Sequence, residues 1–447
     1  MTINGNLIII GSGIAGISAA RAARRTYPHI RISVLSDDPD GFYNRIAVEA
    51  LAVRKRQTAD LFTLAPHCFE NERIEARFGE MVKSIDRQLK LVYTASGEAL
   101  AYDRLILATG ASPWGPPISG IDSPGVHFLW TMNDARRLSA KLAGSSDVAV
   151  IGGGILGVEA ALDIAGIGKK VHLIEAANGL LEQHLPDSIS IALKNELQSD
   201  NISVYTKANV SSIQPHNGRI SLRTSSVAIT CDTVLISAGV RPNTILAADA
   251  GLKTADGIVV NDHMLTSDSS IFACGNCVTQ PQGGALLWNP AKQQGETAGE
   301  NAFKIRRTFQ SHPFPLHLKS NRISLFTMGN PAAVSKQTTC ISQKTATGEK
   351  RVYVTAKGRI CYAVFFGDVD NYYSVEKLIR NQVVLGDEIT ADASLPRILT
   401  DVLPEADDAG YIKTSWVCSV CGFVHEGDTA PGVCPVCNVG RDQFLAA

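Results

Sequence analysis

The sequence predicts an α/β protein with two Rossmann-like dinucleotide-binding units, a small α/β unit after them and a metal-holding tail. Three observations carry this reading. Two apolar runs each lead into Gly-x-Gly-x-x-Gly and then an alanine-rich helical pattern, at "NLIIIGSGIAGISAARAA" and "DVAVIGGGILGVEAALDIA". Near the C-terminal end, four of the ten cysteines fall in two Cys-x-x-Cys pairs.

At 447 residues the chain suggests about three domains. Its formal charge of −1 offers no basic footprint for nucleic acid or an anionic membrane. No apolar run approaches the ~18 residues of a spanning helix. "MTINGNLIIIGSG" enters a strand and a glycine turn directly, without a basic leader, so a cytoplasmic location is expected. There the cysteines are expected to be free or metal-bound. Nothing in the sequence speaks to oligomeric state.

In the first loop, a buried strand runs into a tight turn made by Gly11. Gly13 lets the backbone approach a pyrophosphate, and Gly16 lets helix and strand pack closely, with the helix N-terminus facing the phosphate charge. Ser12, Ile14 and Ala15 complete the expected binding segment. The next strand, "RISVLSDDPD", should end in an acid for ribose hydroxyls, and Asp37 is the candidate. The second loop repeats the spacing with Gly152, Gly154 and Gly157, and Ile155, Leu156 and Glu159 belong to the same segment. Its partner strand, "KKVHLIEAANG", ends at Glu175. A carboxylate there accepts from both ribose hydroxyls and repels a 2′-phosphate, and no arginine follows closely. NADH is therefore expected over NADPH. "YDRLILATGASP" and "CDTVLISAGVRPN" each read as a strand leading to a crossover glycine, Gly110 and Gly239. "SSIFACGNCV" precedes a helical segment, "NPAKQQGETAGENAF".

These five motifs, in this order over roughly residues 5 to 310, resemble the flavoprotein reductases with two dinucleotide-binding domains. "FYNRIAVEA" narrows the resemblance to the rubredoxin reductases and the flavoprotein part of the nitrite reductase large subunit. The resemblance implies FAD in residues 1–115 and 241–312, and NAD(H) in residues 116–240. It implies that Asn44 and Arg45 lie against the flavin, and that the Gly11–Gly16 segment, Asp37, Val82, Ala108, Thr109, Gly110 and Asn276 hold FAD. The second glycine loop, Glu159, Glu175 and Gly239 would serve NADH. It implies no catalytic side chain, because hydride passes directly from nicotinamide to flavin. Three positions depart from the family pattern. Asn276 stands where an Asp is usual; its carbonyl can still accept a hydrogen bond, but the charge is lost. Ala50 stands where many relatives have a lysine paired with the Glu of "GVEAA", leaving Glu159 without that partner. Ile46 replaces a frequent proline.

The resemblance also extends to disulfide reductases, whose redox cysteine follows the flavin loop, but residues 38 to 60 contain none. Cys68 is the nearest, and a thiol, persulfide or peroxide reductase using it is an alternative. Cys231, Cys340 and Cys361 read as core residues, and Cys274 and Cys277 as structural thiols of the flavin-contact loop.

Residues 313–395 read as strands, a turn and a helix, resembling the small α/β C-terminal domain of the same reductases, which packs beside the flavin. Residues 396–414 read as a linker. Residues 415–447 are too few to fold around an apolar core alone and call for a metal. Cys418-x2-Cys421-x12-Cys434-x2-Cys437 offers four thiolates, a set suited to zinc or iron. With Trp416, Gly422, Phe423, Gly427, Pro435 and Phe444, the tail resembles the rubredoxin-like domain of rubrerythrins, which implies iron. Asn438 replaces the glycine usual after the last cysteine and tolerates a left-handed backbone. The expected function is electron transfer from NADH through FAD to a four-cysteine iron. The final acceptor is a redox partner protein such as an oxygenase or a diiron protein. A zinc ribbon that docks a partner is the other alternative.

Overall fold

The structure, a computed structural model, describes residues 3–64, 67–198, 201–279, 288–311, 313–320, 323–385, 415–418, 424–426, 429–433, 441 and 444–446. The helices used below are α1 (Ile14–Thr26), α2 (Val48–Ala52), α3 (His67–Asn71), α4 (Met132–Ala143), α5 (Ile155–Gly166), α6 (Asp187–Gln198), α7 (Ile245–Asp249), α8 (Trp288–Asn301) and α9 (Tyr372–Arg380).

Asn6–Ile10 is almost uniformly apolar and buried, the signature of a strand covered on both faces. It sits at the centre of a parallel sheet. Arg31–Ser36 and then Ile74–Phe78 lie on one side, and Arg104–Leu107 and then Ile271–Ala273 on the other. The last strand thus arrives from far along the chain. Between, the chain leaves through Ala111–Pro113 and returns through Val240–Pro242. These two short strands pair antiparallel, with Pro242 opposite Ala111. The excursion builds a second parallel sheet, ordered Ile202–Tyr205, Lys170–Ile174, Asp147–Ile151, Thr233–Ile236, Val126–Phe128. The two sheets are Rossmann-like, as the glycine loops predict.

α1 and α8 pack closely on one face of the first sheet, because Gly295 and Gly299 of α8 sit against the backbone of Ala15 and Ala19. A third sheet is antiparallel, ordered Leu316–Lys319, Ser324–Gly329, Ile360–Phe366, Glu349–Val354, Thr339–Lys344, with α9 against it. It packs on the second unit: Leu318, Leu325, Tyr362 and Val364 share one core with α4, α5 and α6. The Tyr362 and Thr327 hydroxyls both donate to the His184 carbonyl. In the tail, Ser415–Cys418 pairs antiparallel with Val424–Glu426 and Phe444–Ala446. Among the described residues no helix is long and apolar enough to cross a membrane.

Candidate functional site

A cavity of about 1480 Å³ lies where the three sheets meet. Ligand pockets commonly run ~300–1,000 Å³, so this one has room for more than one small ligand. Its walls begin at the carboxyl ends of the parallel strands. Gly11 and Gly152 each turn the chain with a positive φ, +115° and +118°. A Cβ on either would strike the backbone of the neighbouring crossover strand, at Ala108 or Ser237. Gly16 and Gly157 lie against the carbonyls of Gly11 and Gly152 and set the strand–helix packing. The space around Gly13, Gly110, Gly154 and Gly239 is open. The two turns are thus built alike, with the backbone bared at the same places.

Gly11, Ser12, Gly13, Ile14 and Ala15 line the cavity, and so do Asp37, Arg45, Val82, Ala108, Thr109, Gly110 and Asn276. The Ser12 hydroxyl donates to Ser36 Oγ (2.9 Å) and to the Gly41 carbonyl. Asp37 is exposed at its strand end. Arg45 is held by Asp38 at 3.3 Å and lies over the Tyr43 ring. Gly16 stays behind the turn. Asn44 is fully buried, and its Oδ1 accepts from the Ile46 N–H, capping the single turn Arg45–Ala47. It does not line the cavity; its place is to aim Arg45 and Ile46 at it. Trp288, at the start of α8, presents a buried Nε1 with no partner among the described residues and lines the same cavity. A donor orphaned there, beside open backbone at a helix N-terminus, fits a ligand with phosphates and hydrogen-bond acceptors, as FAD is.

From the second unit Ile155, Leu156 and Glu159 line the cavity, and Leu156 is 49% exposed. Gly152, Gly154, Gly157, Glu175 and Gly239 lie outside its lining, around the second turn. The Glu175 carboxylate sits at that turn and accepts from the Gly153 and Ala177 N–H groups. From the third unit Phe314, His317, Tyr372, Tyr373, Glu376 and Arg380 close the far side.

Reasoning from the sequence missed Glu49, Lys55 and Asp163, which line the cavity beside Glu159. Lys55 Nζ pairs with Asp163 Oδ1 at 2.5 Å. A lysine therefore does enter this cluster, though not from position 50. Glu159 and Asp163 are four residues apart on α5, a like-charged pair that reads as a solvated helix face until the fold turns it inward. Trp288 was missed as well. It falls just after the flavin-contact loop, where only the helical pattern was legible.

Among the described residues no cysteine lines the cavity. Cys68 is half-buried on α3 and does not line it. Cys274 and Cys277 are fully buried thiols; Cys277 Sγ contacts the carbonyls of Leu107 and Cys274. Burial pushes both thiols up, away from thiolate chemistry. Cys231 is buried as expected, whereas Cys340 is exposed: alternation along the edge strand Thr339–Lys344 turns Ile341 inward instead. Cys361 is half-buried. Of the tail cysteines, Cys418 ends the strand Ser415–Cys418, and Cys421, Cys434 and Cys437 lie outside the described residues. Among the described residues no group of three or more His, Cys, Asp or Glu is arranged to hold a metal.

Residues 5–295 match the pyridine nucleotide-disulphide oxidoreductase family, and residues 416–445 match the rubrerythrin rubredoxin-like domain. A rubredoxin-NAD(+) reductase of Pseudomonas putida is 33% identical over 61% of this chain and 71% of its own. The nitrite reductase (NADH) large subunit of Escherichia coli is 27% identical over 97% of this chain, which spans about half (52%) of that subunit. The crystal structure of NADH:rubredoxin oxidoreductase from Clostridium acetobutylicum superposes with a TM-score of 0.73. It is 26% identical and covers 89% of this chain and 100% of that one. The family implies FAD and NAD(H) as cofactors. The chain is an oxidoreductase that belongs to the pyridine nucleotide-disulphide oxidoreductase family, with a rubredoxin-like domain near its C-terminal end.

Proposed function

We propose that the chain carries electrons from NADH through FAD to an iron held by Cys418, Cys421, Cys434 and Cys437, and from there to a redox partner protein. The observation that carries this is one cavity walled both by the first glycine turn and by Ile155, Leu156 and Glu159 of the second unit. Two dinucleotides bound at two such turns would meet there. FAD, when bound, takes two electrons together from a nicotinamide and releases them singly, which suits a four-thiolate iron that accepts one.

In this reading residues 1–115 and 241–312 bind FAD, and residues 116–240 bind NADH. The backbone from Gly11 to Ala15 receives the pyrophosphate, Arg45 neutralises it, and Asp37 accepts from the ribose. Trp288 Nε1 and the Asn276 amide supply hydrogen bonds to the flavin. Glu175 sits at the second turn, where a nicotinamide nucleotide's adenine ribose would lie, and this supports NADH over NADPH. Phe314, His317, Tyr372, Tyr373, Glu376 and Arg380 wall the cavity on the side away from the turns. The names of the P. putida and C. acetobutylicum relatives support a rubredoxin-type acceptor. Cys68, off the cavity, gives no support to a thiol-based reductase.

The test removes residues 415–447. Reduction of bound flavin by NADH should persist, because it needs only the two nucleotide sites. Reduction of a one-electron protein acceptor should fall at least tenfold. Equal acceptor rates with and without the tail would overturn the proposed outlet.

A further inference from the structure

We infer that Glu49 and Glu159 form a carboxyl pair facing the cavity, which holds one proton between its two members and takes up a second when negative charge enters the cavity. The inference rests on the proposed function for the source of that charge, and on geometry for the pair itself. Glu49 lies on α2 and Glu159 on α5, and both line the cavity. Glu49 Oε1 is buried with no hydrogen-bond partner among the described residues. Two buried carboxylates need a counter-charge, and among the described residues neither is in an ion pair of its own. Lys55 is engaged by Asp163. Arg45 is paired with Asp38. On α4, which packs against α2, Asp134 caps the helix start, Arg136 is paired with Asp40, and Arg137 and Lys141 act on His127. A bare pair of carboxylates in such a place cannot both stay ionised.

The titration behaviour agrees with the geometry. Burial first, and then the charges of Glu159 and Asp163, hold the Glu49 carboxyl well above the usual range against the pull of Lys55. Burial first, and then Asp163, raise Glu159 to about 7. Interacting groups of this kind titrate as a pair, and their two steps belong to both residues.

Hydride delivered by NADH to a bound flavin would add a negative charge to the cavity without taking a proton from water. That charge raises the proton affinity of the pair, which binds one proton from solvent at a carboxylate oxygen. Once two electrons had left, the pair would return its borrowed proton to solvent, in addition to the one the hydride had brought. Charge in the cavity is thereby balanced by this chain's own residues, in a cluster where Lys55 is ion-paired to only one of three carboxylates.

The experiment uses the purified, flavin-containing protein and the Glu49→Gln and Glu159→Gln variants. Proton uptake on anaerobic reduction by NADH is followed with a pH-indicator dye between pH 7 and 8. The carboxylic-acid carbonyl stretch is followed by infrared spectroscopy. The expected result is a substantial fraction of a proton taken up per flavin by the unaltered protein, falling to near zero in both variants. A protonated-carboxyl band should be present at pH 7 and be lost in at least one variant. Equal uptake in all three proteins, or a band that neither substitution changes, overturns the inference. A flavin that NADH does not bleach overturns the proposed electron path instead. The infrared band of the flavin-free protein and its variants then decides the pair on its own.

Discussion

Glu175 does two jobs with one carboxylate: it receives the Gly153 and Ala177 N–H groups, and it places negative charge at the second nucleotide turn. Glu175→Ala should therefore lower kcat/KM for NADH and narrow the preference over NADPH, which we expect to be at least about tenfold, or ~1.4 kcal/mol, in the unaltered protein. Steady-state kinetics with both nucleotides checks this; an unchanged ratio would contradict it. Glu159 makes a second prediction through pH. Its carboxyl is raised from 4.5 to about 7, so the folded protein holds that proton more tightly than the unfolded chain does. The stability this contributes is full below pH 4.5 and is lost as pH rises to about 7. Asp232, Asp268 and Asp368 are depressed and act with the opposite sign, but at more acid pH. Thermal unfolding of the unaltered protein should thus fall between pH 5 and 7.5 relative to Glu159→Gln, and parallel curves would refute this. At this scale the sequence was most legible where the demand is local. Gly11 and Gly16 answer steric needs set within a few residues, as do Gly152 and Gly157. The pairing of Glu49 with Glu159 joins residues far apart in the chain, and no local pattern announces it.

The helix α8 shows how an element positions the site. Gly299 lies on the backbone of Ala19 in α1, and Gly295 on that of Ala15. Small residues at this spacing in "NPAKQQGETAGENAF" let the two helices approach closely, and so hold Trp288 at the cavity wall. Gly299→Ala should force the helices apart at a cost of about 1–3 kcal/mol. It should also release flavin at lower urea concentration, measured by flavin fluorescence. In the third sheet, Lys350 is 5% exposed, pairs with Asp368 at 2.8 Å and donates to the Asp370 carbonyl. Lys350→Ala leaves Asp368 without its cation and should cost about 3–5 kcal/mol. The double change Lys350→Met, Asp368→Leu should recover much of that, as read by thermal unfolding. The alternation of "KRVYVTAKGRICYAVFFGD" made these strands legible. It could not show that a lysine on the inward face finds its carboxylate across a turn. Cys340, outside that stretch, was expected in the core, but on its own edge strand the alternation turns Ile341 inward and leaves Cys340 exposed.

At the scale of the whole molecule, the order of motifs carried the architecture: one parallel sheet interrupted by another, with the crossing strands Ala111–Pro113 and Val240–Pro242 side by side. What the sequence did not carry is how the third sheet seats on the second unit, through Tyr362, Thr327 and the His184 carbonyl, because that contact depends on long-range packing. If the proposed electron path holds, tethering within one chain, which typically gives about millimolar local concentration, should make transfer to the tail outrun transfer to a severed tail at micromolar concentration. Stopped-flow absorbance under anaerobic conditions, with NADH mixed against the intact chain, tests this most directly. Flavin bleaching should come first and ferric-thiolate bleaching second, with the second phase absent when residues 415–447 are removed. Iron that stays oxidised while the flavin is fully reduced, or a colourless zinc in its place, would contradict the proposed electron path.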